Sequence, residues 1–183
     1  MMRPPDEIRT DRLILRRWHP DHAIRLKAAI DKNLGHLQKW MPWAAAEPTP
    51  VAELALRLAQ FHADFDAGRQ WLFGLFPFDE TTVLGGLGLH PAKGPNAPAG
   101  SVEIGYWLQA EMTGRGYVTE AVEAAARLPG VARAEIRCDP GNTRSAAVAR
   151  RLGFRHVTTI RGNAISPSGM PRDTMIWRLR PKP

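Results

Sequence analysis

One cysteine, Cys138, is all the thiol chemistry the sequence offers. That count excludes a disulfide framework and a thiolate-rich zinc site. The six histidines show no metal-ligand spacing, so no metal is expected, and His62 and His90 read as ordinary surface or core residues. No apolar stretch approaches the length of a membrane span. The first residues, MMRPPDEIRTDRL, are charged from Arg3 onward and lack the apolar centre of an export signal. A cytoplasmic, reducing compartment without a membrane partner is the expectation. No run of five Lys or Arg occurs either. The net charge of +7 therefore suits an anionic cofactor or a plain arginine-rich surface, and a nucleic-acid partner is a minor alternative.

What is present is enough apolar material, 44% of 183 residues, for one domain spanning 1–183. Hydrophobic spacing predicts a strand at 13–18, then a helix from His19-Pro20 to about residue 30. Residues 31–47 read as a loop with a short helical piece. A second helix follows a cap at Thr49-Pro50, carries Val51, Leu54, Leu58, Phe61 and Phe65 at helical spacing, and ends at Gly68. Strands at 70–78 and 83–91 form a hairpin, 92–100 is a flexible loop, and a third strand covers 101–108. A helix at 116–128 stops at Pro129-Gly130. A strand at 133–139 alternates, and Asn142 caps a helix that runs to residue 152. A strand at 175–179 closes a mixed α/β (α+β) order.

The stretch TGRGYVTEA, from Thr113, opens the third predicted helix with two glycines. Free amides and the positive dipole end of a helix start suit phosphate, and glycine lets the backbone approach it closely. Arg115 adds charge and Thr119 a hydroxyl. An ordinary strand-to-helix turn is the bland alternative. A dinucleotide fingerprint is a second, with Asp139 near the spacing for a ribose contact. It lacks its third glycine, since that position is Thr119.

Three blocks in order, VEIGYWL, TGRGYVTEA and RCDPGNTRSAAVARRLGF, with TDRLILRRW ahead of them, resemble the GNAT acyltransferases of the RimJ/RimL type. The resemblance covers residues 10–179. It implies a central, mostly antiparallel sheet with a splayed parallel strand pair and helices on both faces. Acetyl-coenzyme A would lie where the strands at 102–108 and 133–139 part, with backbone groups of Trp107, Leu108 and Gln109 on its pantetheine arm. The loop of Thr113, Gly114, Arg115, Gly116, Tyr117, Val118 and Thr119 would hold the diphosphate. This sequence departs from the family at Thr113, where Gln or Arg is usual, and at Val118, where Ala or Gly is usual. Its helix after Gly116 is about one turn short.

Acetyl transfer to an amine needs a neutral amine, a stabilised oxyanion and a departing thiolate. The resemblance puts Glu103 near the acceptor, as base or as a structural or positioning carboxylate. A first-turn carboxylate such as Glu120 more often satisfies helix amides. Many relatives carry a thiolate-protonating tyrosine at the position of Ala149; RimJ/RimL types carry a serine at that of Ser145. Asn142 caps its helix and, by resemblance, contacts pantetheine. Among Arg144, Arg150 and Arg151, Arg150 is the choice for the 3′-phosphate. Cys138 reads as packing. Trp40, Met41 and Trp43 either wall the acceptor site or pack a loop on the core. The implied activity is N-acetylation of a primary amine, a protein N-terminus or a small metabolite or drug-like amine. A homodimer is common among such relatives. A non-catalytic acyl-coenzyme A sensor is the rival outside enzymes.

Overall fold

Leu13, Ile14 and Leu15 are all buried, yet they serve two different cores. Side chains alternate across a strand, so Leu13 and Leu15 join one apolar cluster and Ile14 the other. That split describes the whole molecule: a sheet with helices packed on both faces. The computed structural model describes residues 2–92, 99–166 and 168–179. The predicted loop at 92–100 lies mostly outside them.

The chain order is β1 (Glu7–Arg9), β2 (Ile14–Arg17), α1 (Ala23–Gln38), α2 (Val51–Asp66), β3 (Trp71–Phe76), β4 (Gly85–Pro91) and β5 (Ser101–Leu108). Then follow α3 (Tyr117–Ala126), β6 (Arg133–Cys138), α4 (Thr143–Arg151), β7 (Arg155–Ile165) and β8 (Pro171–Leu179). The sheet runs β1-β2-β3-β4-β5-β6-β8-β7. Among the described residues only the β5/β6 neighbours are parallel. This removes the dinucleotide-fold alternative, which needs a mostly parallel sheet.

The first core gathers Ala121, Val122 and Ala125 of α3 and Ala146 and Ala149 of α4 against one face. The second gathers Leu26, Ile30 and Leu37 of α1 with Leu54 and Leu58 of α2. Several expectations need correcting. The first helix continues to Gln38, because Asn33 donates to Ala29 O at 2.8 Å and takes the Ala110 N–H at 2.8 Å, serving the interior instead of breaking the helix. A 3-10 turn at Pro42–Ala46 is the short helical piece. Thr49 does not cap α2; Pro50 holds that place, and the Thr49 hydroxyl accepts from Arg57. Strands β1 and β7 were not expected, and β8 starts four residues early.

His22 sits in the second core against Trp18 and Phe76, with its Nδ1 accepting the His19 N–H. Burial, then the nearby Arg25 charge, lowers its pKa to about 4. The unfolded chain thus binds more protons than the folded one below about pH 6.5, so stability present at neutral pH is lost as pH falls toward 4. We expect the urea unfolding free energy to drop by about 2 kcal/mol between pH 7 and 4.5 through this group. His22→Asn should flatten that part of the profile; an unchanged slope would assign the acid sensitivity elsewhere.

Candidate active site

The β5/β6 pair holds only three rungs: Ser101 with Arg133, Val102 with Ala134, and Glu103 with Glu135. Beyond them the strands part. The direction of the β5 backbone groups follows from its other edge. Ala92 N–H reaches Ser101 O at 2.9 Å, and Gln109 N–H reaches Leu84 O at 2.8 Å. In an antiparallel ladder such pairs recur at every second residue, so odd-numbered residues of β5 turn their backbone toward β4. Ile104, Tyr106 and Leu108 turn theirs into the wedge. The expectation for Trp107 and Gln109 is corrected accordingly: their backbones belong to β4, and Tyr106 with the Leu108 N–H offers the free edge. The Gln109 side chain is buried between Asn33 and Val83. The His36 ring meets the Leu108 backbone; burial and the Arg144 charge hold its pKa down.

At the far end of the wedge, Gly116 precedes α3 with φ 82° and Gly114 has φ 79°. Both lie in the left-handed region that glycine adopts without strain. Gly116 brings no capping side chain, so the first-turn amides of Tyr117, Val118 and Thr119 stay uncapped. Two guanidiniums lean on this loop from α4. Arg144 donates to the Thr113 hydroxyl at 3.3 Å and Arg151 to the Thr119 hydroxyl at 3.1 Å. Arg150 lies instead over the Trp177 ring, 5.8 Å from its centroid. Thr113 spends both its N–H and its hydroxyl on Ala110 O.

Arg12, which lies in the TDRLILRRW stretch but has no expected role there, fixes the loop from behind. It donates to Arg115 O at 2.9 Å, pairs with Glu120 at 2.6 Å and stacks on Tyr117. Glu120 also accepts from Thr10 at 2.6 Å. Burial pushes the Glu120 pKa up, but the Thr10 and Arg12 hydrogen bonds outweigh it and leave it low. Glu120 is a tether between the N-terminal segment and α3, in place of the helix amides it was expected to satisfy.

Ser145 stands in the first turn of α4, where its N–H donates to the Asn142 cap at 3.1 Å. Its Oγ is 2.8 Å from the Tyr106 hydroxyl. Burial pushes the Tyr106 phenol well above its ordinary value, so it stays protonated. Tyr106 is the residue that sequence reasoning missed, one position before Trp107. Its only signal was the alternation that puts it with Ile104 and Leu108. Cys138 is buried alongside, and burial raises its thiol pKa. It is no ready nucleophile.

Across the sheet, a cavity of about 900 Å³ lies between α1, α2 and strands β4 to β6. Its floor is glycine-rich: register sets Gly86 under the Trp107 indole and Gly88 opposite Gly105. A Cβ on Gly105 would meet nothing nearer than His90 Nε2 at 3.9 Å, so this glycine opens directly into the space. Trp40, Met41 and Trp43 all line the wall, and Trp43 packs edge-on to Trp107 at 5.9 Å. The same wall contains Glu103, Trp107, Asn142 and Ser145. The 113–119 loop forms a separate cradle.

These features fit an extended, amide-bearing chain ending in a diphosphate. The free β5 edge matches amides, the uncapped α3 amides and two arginines match phosphate, and the cavity receives a second substrate at the other end. Among the described residues, no group of His, Cys, Asp and Glu could hold a metal ion.

Comparison with known proteins agrees. Residues 12–155 match the acetyltransferase (GNAT) domain family. The ribosomal protein uS5 alanine N-acetyltransferase of Escherichia coli is 29% identical over 158 residues, covering 82% of this chain and 79% of that protein. Two solved structures share the fold. The microcin C7 self-immunity acetyltransferase MccE, in complex with acetyl-coenzyme A and AMP, superposes with a TM-score of 0.86 at 23% identity, covering 98% of both chains. RimL, a ribosomal-protein α-N-acetyltransferase in complex with coenzyme A, gives 0.84 at 23% identity, covering 95% of this chain and 97% of that one.

Proposed function

This chain belongs to the GNAT acetyltransferase family and takes its acetyl group from acetyl-coenzyme A, and we propose that it delivers that group to the α-amine of a protein N-terminus of ribosomal type. The observation that carries the reading is the cavity that holds Glu103 together with the wedge residues Tyr106, Asn142 and Ser145. The open β5 edge and the uncapped start of α3 supply the two further parts a coenzyme A chain needs. The relative from Escherichia coli supports a ribosomal acceptor. On this reading the enzyme works in the cytoplasm with its acceptor. Among the described residues no helix is long and apolar enough to cross a membrane.

Acetyl-coenzyme A supplies an already activated acyl group, so direct attack within a ternary complex suffices. Backbone groups of Ile104, Tyr106 and Leu108 orient the pantetheine arm. The amides of Tyr117 to Thr119, with Arg144 and Arg151, hold the phosphates. Arg144 and Arg151 reach the loop itself, and Arg150, which lies over Trp177, is kept as the choice for the 3′-phosphate. Glu103 accepts a hydrogen bond from the acceptor amine, positions it, and takes the proton the nitrogen loses as the C–N bond forms and the C–S bond breaks. Ser145 donates its proton to the departing sulfur and regains one from solvent, and Tyr106 backs it with a hydrogen bond to Oγ.

Two measurements test this. A thermal melt with acetyl-coenzyme A at a hundred times Kd should gain roughly 2.7 kcal/mol, about 5–10 °C for a chain of this size. Arg144→Ala and Arg151→Ala should each weaken that affinity roughly tenfold, the scale of a hydrogen bond to a charged group; a shift that survives both would move the phosphates elsewhere. Incubation with ribosomal proteins, read by mass spectrometry, should add one acetyl group to an N-terminal residue. The aromatic wall of Trp40, Trp43 and Trp107 favours one second reading, a small amine with a flat ring. Acetylation of such amines with no ribosomal N-terminus modified would select it.

A further inference from the structure

The last rung before β5 and β6 part places two carboxylates side by side, Glu103 and Glu135. Like charges on one rung repel, and a guanidinium resolves the conflict. Arg137 Nε donates to Glu135 Oε1 at 2.8 Å and stands 3.2 Å from Glu103 Oε2. Glu135 is buried and also held by Arg178 Nε at 2.7 Å. It therefore anchors Arg137, and Arg137 in turn steadies Glu103. Glu103 and Arg137 remain about one-third exposed, at 37% and 36%, and both line the cavity.

Arg137 spends only Nε on these contacts. Among the described residues, no hydrogen bond engages its two terminal nitrogens. Arg57, on the same wall, has given both of its terminal nitrogens to Glu47 and Thr49. Arg172 is paired with Asp139 and stacked on Trp40. Arg172 likewise gives only its Nε, to Asp139, but makes no ion pair with Glu103. Next to the wedge, Glu103 and Arg137 thus present a carboxylate able to accept and a planar donor pair able to give, side by side.

We propose that Glu103 and Arg137 together read the α-amino acyl group of the acceptor. Glu103 takes the amine, and the terminal nitrogens of Arg137 donate to the carbonyl oxygen of the same residue. Every peptide N-terminus and amino-acid amide carries that carbonyl on the atom next to the amine-bearing carbon. A lysine side chain or a simple alkylamine lacks it. Arg137 is accordingly a specificity-determining residue. A site built to hydrogen-bond a substrate group discriminates strongly against analogues without it, because its own polar atoms are left unpaired. The inference rests on the acetyltransferase reading and on Glu103 facing the acceptor.

The test compares alaninamide with isopropylamine, which differ only in a carboxamide against a methyl, at equal concentrations of neutral amine. Wild-type enzyme should favour alaninamide in kcat/KM by on the order of 100-fold. It should also acetylate a lysine-containing peptide at its N-terminus and not at the side chain. Arg137→Lys keeps a cation for Glu135 but loses the planar donor pair, and should shrink the ratio by about tenfold; Arg137→Met should abolish it. A role in support alone would depress both amines together and leave the ratio intact, which overturns the proposal. Should Arg137→Met not fold, Arg137→Lys and the wild-type ratio still decide. A wild-type ratio near one, or side-chain acetylation, also overturns it while leaving acetyl transfer itself standing. Failure to acetylate any amine, despite a melt shift with acetyl-coenzyme A, would overturn the proposed function with it.

Discussion

Replacing Ser145 by alanine should lower kcat by roughly 100-fold and leave the dissociation constant of acetyl-coenzyme A within about twofold, since positioned proton donors contribute on the order of 10²–10⁴. The low end of that range applies because of Tyr106. Its hydroxyl lies 2.8 Å from Ser145 Oγ and stays protonated at all working pH values. With the serine gone it keeps a proton close to the place Ser145 occupied. Tyr106→Phe alone should cost about tenfold, by removing the hydrogen bond that compensates Ser145 as it gives up its proton. The double variant should fall well below either one, yet by less than the product of the two, because the residues act as a unit. Single-turnover kinetics with calorimetric cofactor binding would check this. Unchanged turnover with chemistry rate-limiting, or affinity falling in step with kcat, would strip Ser145 of the role.

Gly105→Leu should reduce kcat/KM for the amine on the order of 100-fold, the scale on which small misplacements of a reacting group act. Cofactor affinity and melting temperature should hardly move. The reasoning is steric. A Cβ at this position enters open cavity, its nearest neighbour being His90 Nε2 at 3.9 Å. The extra atoms therefore displace substrate instead of protein, and a strand residue with a side chain loses less entropy on folding than glycine. Gly105→Ala is the graded control and should show a smaller loss of the same kind. Equal loss of cofactor binding would mean that the added side chain reaches the cofactor as well as the acceptor.

The elements carrying this site were the most readable in the sequence. β5 matches its expected span at 101–108, and α4 begins after Asn142 as its cap required. Local chemistry decides both: β-branched and aromatic alternation for the strand, an Asn side chain at the helix start. β7 was invisible for a physical reason. Nearly every residue in RHVTTIRGNAI is exposed, so no buried face imposes alternation, and Gly162-Asn163 reads as a turn. Asn33 and Gly35 similarly disguised the second half of α1. At the site itself, residue types were legible and directions were not. The choice among Arg144, Arg150 and Arg151 depends on helix phase against a loop about 30 positions earlier, and the pairing of Tyr106 with Ser145 spans 39 positions.

The sheet divides between β5 and β6 into a leaf of five strands and a leaf of three, joined by three rungs. The first core spans that joint, with Leu87 and Ile104 from one leaf and Ile136 and Trp177 from the other. A chain lying in the wedge with its amides on β5 takes the place of the missing rungs and works as a splint across the joint. Affinity for such a ligand and stiffness of the joint then become a single property. Losing the splint reopens the gap in the sheet, so part of what holds the cofactor must be overcome to let the spent one go.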